Sequence, residues 1–425
     1  MTSTKERIAH VVRRASMGPH PDVVAELSTI DDAKLRVLDL TAPAPVVPVG
    51  VPPAGYDDAK PVEIVATIAW WVEQMRTPTR LIEDRLVWFW HDHFATSIAK
   101  VRVPFLMAQQ HATIRAHATG SFAELLHSAA KDPAMLLFLD GITNASTQVN
   151  ENFGRECMEL FTMGIGGGYT QRDVVEISRA FTGWVVNIPG RRFSAQLEAL
   201  GAAPWTSIFV PSRHDNGEKL LFGTTAAYDL DTALDAILEQ PATGRHVAGK
   251  LYRELVGLEP DDKTAKRLGT VFARDWSIMT LVEAILDDGA FTSDAAIRSR
   301  ARTPVERLVA ILQAGNAPTL EVGRRGSVPP VGEALRTMGY IPFVPPNVGG
   351  FPKGASLLGP HQLVHAFDLL AAYTSAPEVP ADADAVLARF GIHDASKATR
   401  RAVASERDPG RRFALAASCP EMAVV

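Results

Sequence analysis

Apolar residues recur three and four positions apart along almost the whole chain, a spacing that fits one face of an α-helix and not the alternation of a strand. Ile64, Ile68, Trp71 and Met75 keep it, and beyond Thr77-Pro78-Thr79 it resumes at Leu81, Leu86 and Trp90. The same spacing predicts helices over 5–14, 22–40, two between 103 and 130, and then 134–139, 150–163 and 171–181. Further helices are expected over 232–239, 242–257, 263–273, 277–287, 291–299, 303–314, 360–375, 383–390 and 396–405. Local punctuation agrees with these boundaries. Asp22 stands where an N-cap belongs, and Asp132-Pro133 pairs an N-cap with proline at the first helical position. Gly164 closes 150–163, and Thr170 with Asp173 forms a capping-box variant.

Two stretches break the pattern. Residues 41–61 are rich in proline and glycine and read as a loop or extended crossing segment packed on the surface. Residues 184–223 set Val185, Val186, Phe193, Ile208 and Phe209 among Pro, Gly and Arg, which predicts short strands. Pro329-Pro330 and Pro345-Pro346 mark extended segments. The expected fold is mainly α: a multi-helical globular domain over 1–425 with a small β-hairpin or short-strand insertion around 184–223. That insertion would join sub-lobes 1–183 and 224–425. No internal repeat is present.

Composition excludes several classes. With 425 residues, 46% hydrophobic and 21% charged, the chain can bury a large core. The formal charge of -5 gives no basic bias toward a nucleic-acid partner. Two cysteines, Cys157 and Cys419, form neither a disulfide framework nor a thiolate zinc site. No run approaches the roughly 18 apolar residues of a membrane span. The opening MTSTKERIAHVVRRASMGPHPD has no apolar core of a signal peptide, and Arg13-Arg14 is not followed by one. The expected compartment is the cytoplasm.

Three polar clusters are candidate sites. In the helix 150–163, Asn152, Glu156 and Glu159 fall on one face, and Glu151, Arg155 and Glu159 form an i,i+4 ladder beside it. Carboxylates so placed serve as metal ligands or as acid and base; the structural alternative is an ion ladder contributing roughly a few tenths of a kcal/mol per exposed pair. In Trp88-Phe89-Trp90-His91-Asp92-His93-Phe94, His91 and His93 are candidate metal ligands in an aromatic setting, or else satisfied core histidines. In Arg213-His214-Asp215-Asn216-Gly217-Glu218-Lys219, His214 is a candidate base oriented by Asp215, within strong turn chemistry. Lys219, Arg179, Lys250 and Arg253 are candidate counter-ions for the acids of the central helix, and Asn347 fixes a turn or a ligand. The glycines 166–168 are not a phosphate loop, since no Gly-Lys-Ser/Thr follows.

Residues 150–184, NENFGRECMELFTMGIGGGYTQRDVVEISRAFTGW, closely resemble the signature of the bacterial family called domain of unknown function 1800. AHVVRRASMGP, RLVWFWHDHFATS, FVPSRHDNGEKLLFG, GRHVAGKLYRELVG and PPNVGGFPKG fit the same family, in order, from about residue 5 to past 370. The resemblance implies a chain often found beside a sulfatase-like partner protein and frequently exported, although no export signal is seen here. It also departs from the family pattern: Phe161 stands where a histidine is expected, and Phe351 where a tryptophan is expected.

These observations lead to a metal-dependent enzyme, leaning toward an oxidoreductase, with His91, His93, Glu151 and Glu156 as ligands of iron, copper, zinc or manganese. Glu156, Arg155, His214 and Glu159 would carry the catalysis of a small-molecule substrate. Three alternatives stay open: a hydrolase on the same cluster, a metal-free enzyme binding an anionic substrate, and a non-enzymatic scaffold or partner protein.

Overall fold

A computed structural model describes residues 2–315, 331–359 and 379–425. It is mainly α-helical, with two small two-stranded antiparallel sheets. The helix expected over 360–375 and the segment at Pro329-Pro330 lie outside the described residues. Among the described residues, no helix is long and apolar enough to cross a membrane.

Eight helices position the features that follow: α1 (Thr4–Ala15), α2 (Ile64–Arg76), α3 (Leu81–His93), α4 (Pro104–His117), α5 (Glu151–Glu156), α6 (Gln171–Ala180), α7 (Pro241–Val256) and α8 (Pro304–Ala314). The expected caps form. Asn150 accepts from the amide of Asn152 at the start of α5, and Thr170 and Asp173 close a reciprocal capping box at α6. Asp132 caps the helix Pro133–Phe138.

Two expectations are corrected. Residues 22–40 form two helices, Pro21–Glu26 and Ile30–Leu38, with a break at Leu27. Asp22 is not an N-cap; His20 and Thr29 occupy those positions, and Thr29 makes a capping box with Asp32. Residues 291–299 form turns, not a helix. Their carbonyls are taken from outside: His10 binds the Phe291 oxygen, Arg7 that of Thr292, and Arg14 that of Ala296. Those tertiary bonds replace the ladder an isolated helix would have formed.

Helix α3 runs through the middle of the molecule and is buried on every side, which its near-continuous apolar run from Leu86 to Trp90 favours. Trp71 of α2 packs its ring on Trp88 and on His91 of α3, and Trp90 stacks toward Phe122. The strands lie where the helical spacing fails. β1 (Trp184–Val186) pairs with β2 (Ser207–Phe209), and β3 (Lys219–Leu221) with β4 (Thr224–Ala226). The proline-rich segment 41–61 has no α-helix or strand and crosses to this insertion, where Trp205 donates its indole N–H to the Pro53 carbonyl (2.8 Å).

Charge is also built into the interior. Arg85 of α3 reaches Glu254 of α7 (2.9 Å) and Glu306 of α8 (2.5 Å), and Arg300 pairs with Glu306 (2.5 Å). Burial pushes the Glu306 carboxyl up, but Arg300 and Arg85 outweigh it and hold the group well below the usual carboxylate range. Arg14 of α1 donates to the Val256 carbonyl (3.1 Å) at the end of α7, where Gly257 turns the chain with φ +82°. Any side chain at Gly257 would run into the Arg14 guanidinium.

Candidate functional site

The last turn of α3 fastens three separate parts of the chain. Neighbouring residues on a helix point about 100° apart, so His91, Asp92 and His93 reach in three directions. His91 Nε2 accepts the amide N–H of Phe343 (3.1 Å), which places the ring proton on Nδ1. Asp92 accepts the amide N–H of Phe351 (2.7 Å) and pairs with Lys353 (2.5 Å). Any side chain at Gly350, whose φ is +93°, would strike the Asp92 carboxylate. His93 Nε2–H donates to the Phe161 carbonyl (2.9 Å). Burial pushes the His91 imidazole down to about 3 and that of His93 well below its ordinary value, so both rings are neutral.

The 150–163 segment is helical but not uniformly α. After Glu156 it continues as a π-helix, Cys157–Thr162. Thr162 donates its hydroxyl to the Cys157 carbonyl (2.6 Å), and the amides of Met163 and Gly164 both converge on the Met158 carbonyl. The carbonyls of Leu160 and Phe161 point instead at donors from elsewhere: Lys250 Nζ (3.3 Å) and His93 Nε2. The ladder forms as spaced: Arg155 binds Glu151 (2.9 Å) and Glu159 (3.4 Å), with Gln171 of α6 bridging to both Arg155 and Glu151. Glu151 and Arg155 are 39% and 36% exposed, so this is a surface network. Glu156 is half-buried, and burial, with Glu159 beside it, raises its carboxyl above the usual value.

His214 is buried beside Thr182, whose backbone carbonyl lies 3.0 Å from its Nδ1. Asp215 turns away from it to Arg179 (2.7 Å) and accepts the Gly217 amide. Lys219 donates to the carbonyls of Asp215 (2.6 Å) and Gly217 (2.9 Å), not to the central helix. The Arg213–Lys219 stretch is thus a closed turn. Asn347 likewise serves a turn, accepting from the Gly349 amide (2.8 Å).

The structure keeps Glu151, Arg155, Glu156 and Glu159 as neighbours, while His91, His93 and His214 make their hydrogen bonds to backbone groups of Phe343, Phe161 and Thr182. His91 and His93 are separate anchors in the core, while Glu151 is at the surface. Among the described residues, no three His, Cys, Asp or Glu side chains stand close enough to hold a metal ion.

What the fold does gather is a cavity of about 350 Å³ between the end of α3, the outer face of α7, the 299–303 turn and the 340–357 segment. Trp88, Leu258 and Leu357 provide apolar wall. Lys250, Arg253, Arg300 and Lys353 bring positive charge to the lining. Three of these cations are engaged: Lys353 by Asp92, Arg300 by Glu306, and Arg253 by Glu259 (3.1 Å). Lys250 has no carboxylate partner among the described residues; its Nζ donates to the Leu160 carbonyl. Burial, with Lys353 and Arg253 nearby, holds its ammonium down to about 7, against a weaker pull from Asp92. Tyr340, stacked on Phe351 at 4.8 Å, has its hydroxyl pushed well above the ordinary value by burial and by Asp92.

Glu254, Arg300, Tyr340 and Lys353 were not singled out from the sequence, and Asp92 stood there only as the neighbour of His91 and His93. Lys250 and Arg253 were singled out, but as counter-ions for Glu151, Glu156 or Glu159, whereas they meet a backbone carbonyl and Glu259. One usable signal existed. Three of the stretches that carry the family resemblance, 85–97, 244–257 and 345–354, meet at this cavity.

The cleft gathers ionisable groups from several packed segments, from buried Asp92 and Tyr340 to the exposed Lys353 and Glu259 at its edge. The family model described as "Protein of unknown function (DUF1800)" matches residues 10–424, and the chain belongs to that family. No curated protein and no solved structure matches it.

Proposed function

We propose that this chain is an enzyme acting on a small anionic substrate in the cavity beside Lys250, with the Lys250 amine as the group that binds the anion and exchanges a proton. The carrying observation is charge imbalance: of the four lining cations, Lys250 has no carboxylate of its own. The cavity volume suits a ligand of a few to some tens of atoms. An amine held near 7 is present in both protonation states at neutral pH, which suits general acid–base work. Arg253, 41% exposed and paired with the 78%-exposed Glu259, stands at the mouth. An incoming carboxylate or phosphate can replace Glu259 there, gaining a charge-assisted pair. Nothing in this reading requires a metal.

The test is calorimetric binding of a panel of small carboxylates and phosphates to the wild type and to Lys250→Met. Saturable binding is expected for the wild type, weakening as pH rises through about 7 as the ammonium is lost. Lys250→Met is expected to lose at least about tenfold in affinity, roughly one charge-assisted contact. A chelator should change neither binding nor melting temperature. Equal binding by both proteins would overturn the assignment.

A further inference from the structure

We infer that Lys250 is a covalent site: its amine condenses with the carbonyl group of a small oxo acid to form an imine. This rests on the reading of the cavity as an anion site and narrows the substrate class to acids that carry an aldehyde or ketone. Lysine amines become nucleophiles when they are desolvated and stand next to another cation. Both conditions are met. Lys250 is buried and shares the cavity with Lys353, whose charge depresses it more than the Asp92 carboxylate paired with Lys353 raises it. The Leu160 carbonyl, freed by the π-helix, accepts one N–H of Lys250. That bond orients the amine and leaves its lone pair pointing elsewhere. Trp88, Phe89, Leu258 and Leu357 form an apolar wall on which the non-polar part of an oxo acid can rest.

The chemistry balances without a further reactant. The Nζ lone pair forms a C–N bond to the carbonyl carbon, and the carbonyl oxygen takes up the proton shed by nitrogen. The carbinolamine so formed loses its hydroxyl as water while the nitrogen electrons close the C=N bond. The net change is amine plus carbonyl giving imine plus water. Tyr340, which burial keeps protonated, and the Asp92–Lys353 pair are the lining groups able to relay those protons. The charged and titratable groups acting on the amine are Lys353, Asp92, Arg253, His93 and His246, and Glu254, Glu259, Arg300 and Tyr340 line the same cavity. Burial keeps both imidazoles neutral, so they add no charge near pH 7.

The experiment is reductive trapping on the full chain. The protein is incubated with glyoxylate or pyruvate and cyanoborohydride, digested, and mapped by mass spectrometry. Hydride delivered to the imine carbon leaves a carboxymethyl or carboxyethyl group on the lysine nitrogen. Lys250 is expected to label on the order of tenfold or more faster than any other lysine, with a rate that rises through about pH 7. Lys250→Arg, which keeps the positive charge, should abolish that label, while Lys34→Arg at the surface should leave it intact. Labelling spread over surface lysines, or undiminished in Lys250→Arg, overturns the inference. Binding of lactate or propionate that depends on Lys250, with no adduct from glyoxylate or pyruvate, overturns the imine but not the anion site. Loss of both overturns the two together.

Discussion

Asp132 shows how a single residue can be read correctly for structure while its chemistry stays hidden. As expected, it caps the helix Pro133–Phe138, accepting the Met135 amide (2.9 Å), and it also accepts an N–H from Gln110 (2.8 Å). Its burial, visible only in the fold, pushes the carboxyl up to about 7. The unfolded value is about 3.9. The native state therefore holds more protons between these values, and this group's contribution to stability is complete below about pH 4 and lost as pH rises through about 7. Asp132→Asn keeps an oxygen for both donors and removes the titration. Relative to the wild type it should gain on the order of 1–2 kcal/mol between pH 5 and 8. Urea unfolding at the two pH values measures this, and a difference that does not change with pH would refute it. Lys250 teaches the same lesson at the site. Its place on a helix was legible, whereas its lack of a carboxylate partner depends on where Asp92, Glu254 and Glu259 were carried by other segments.

At the scale of elements, most helices and their caps follow from short-range rules, because capping and apolar spacing act within one or two turns. The π-helix at Cys157–Thr162 does not follow from such rules. An α-helical wheel put Glu156 and Glu159 on one face, but the wider π turn shifts everything after Glu156. It is held by contacts outside itself, through the His93 and Lys250 donors. Gly154, just upstream, sits where α5 crosses α6. A methyl group there would collide with the Ser178 hydroxyl, which is held by its own bond to the Val174 carbonyl (2.7 Å). Gly154→Ala should therefore cost about 1–3 kcal/mol by overpacking. In a helix without that crossing the same change would gain roughly 0.5–1 kcal/mol. A lowered melting temperature is the expected outcome, and a raised one would show that the crossing relaxes freely. The turns at 291–299 make the same point from the other side, since side chains of α1 took the carbonyls their helix needed.

Across the whole molecule, buried charge links parts that are far apart in the chain. Arg85 joins the carbonyl of Ser16, Glu254 and Glu306, spanning the end of α1, α7 and α8. Arg85→Met would leave two buried carboxylates with Arg300 as their remaining partner, and should cost on the order of 3–5 kcal/mol. Arg85→Lys should not restore it, because a single ammonium cannot serve three acceptors in the fork geometry of a guanidinium. Thermal unfolding of both variants against the wild type tests this; full stability in Arg85→Lys would show that charge alone, and not geometry, matters there.

From the sequence alone came the mainly helical class, the short-strand insertion, most helix boundaries and the family resemblance that the whole-chain match bears out. Each rests on local periodicity, capping chemistry or ordered motifs. The tertiary structure alone decided which polar residues meet. His91, Asp92 and His93 are adjacent in the chain yet serve three different segments, because helix geometry points them apart. Asp92, Lys250, Arg300 and Lys353 are scattered over more than half the chain yet share one cavity, because packing of α3 against α7 and the 340–357 segment brings them there. Burial and charge pairing belong to that assembled environment, which is why the cavity, and not the central helix, carries the functional reading.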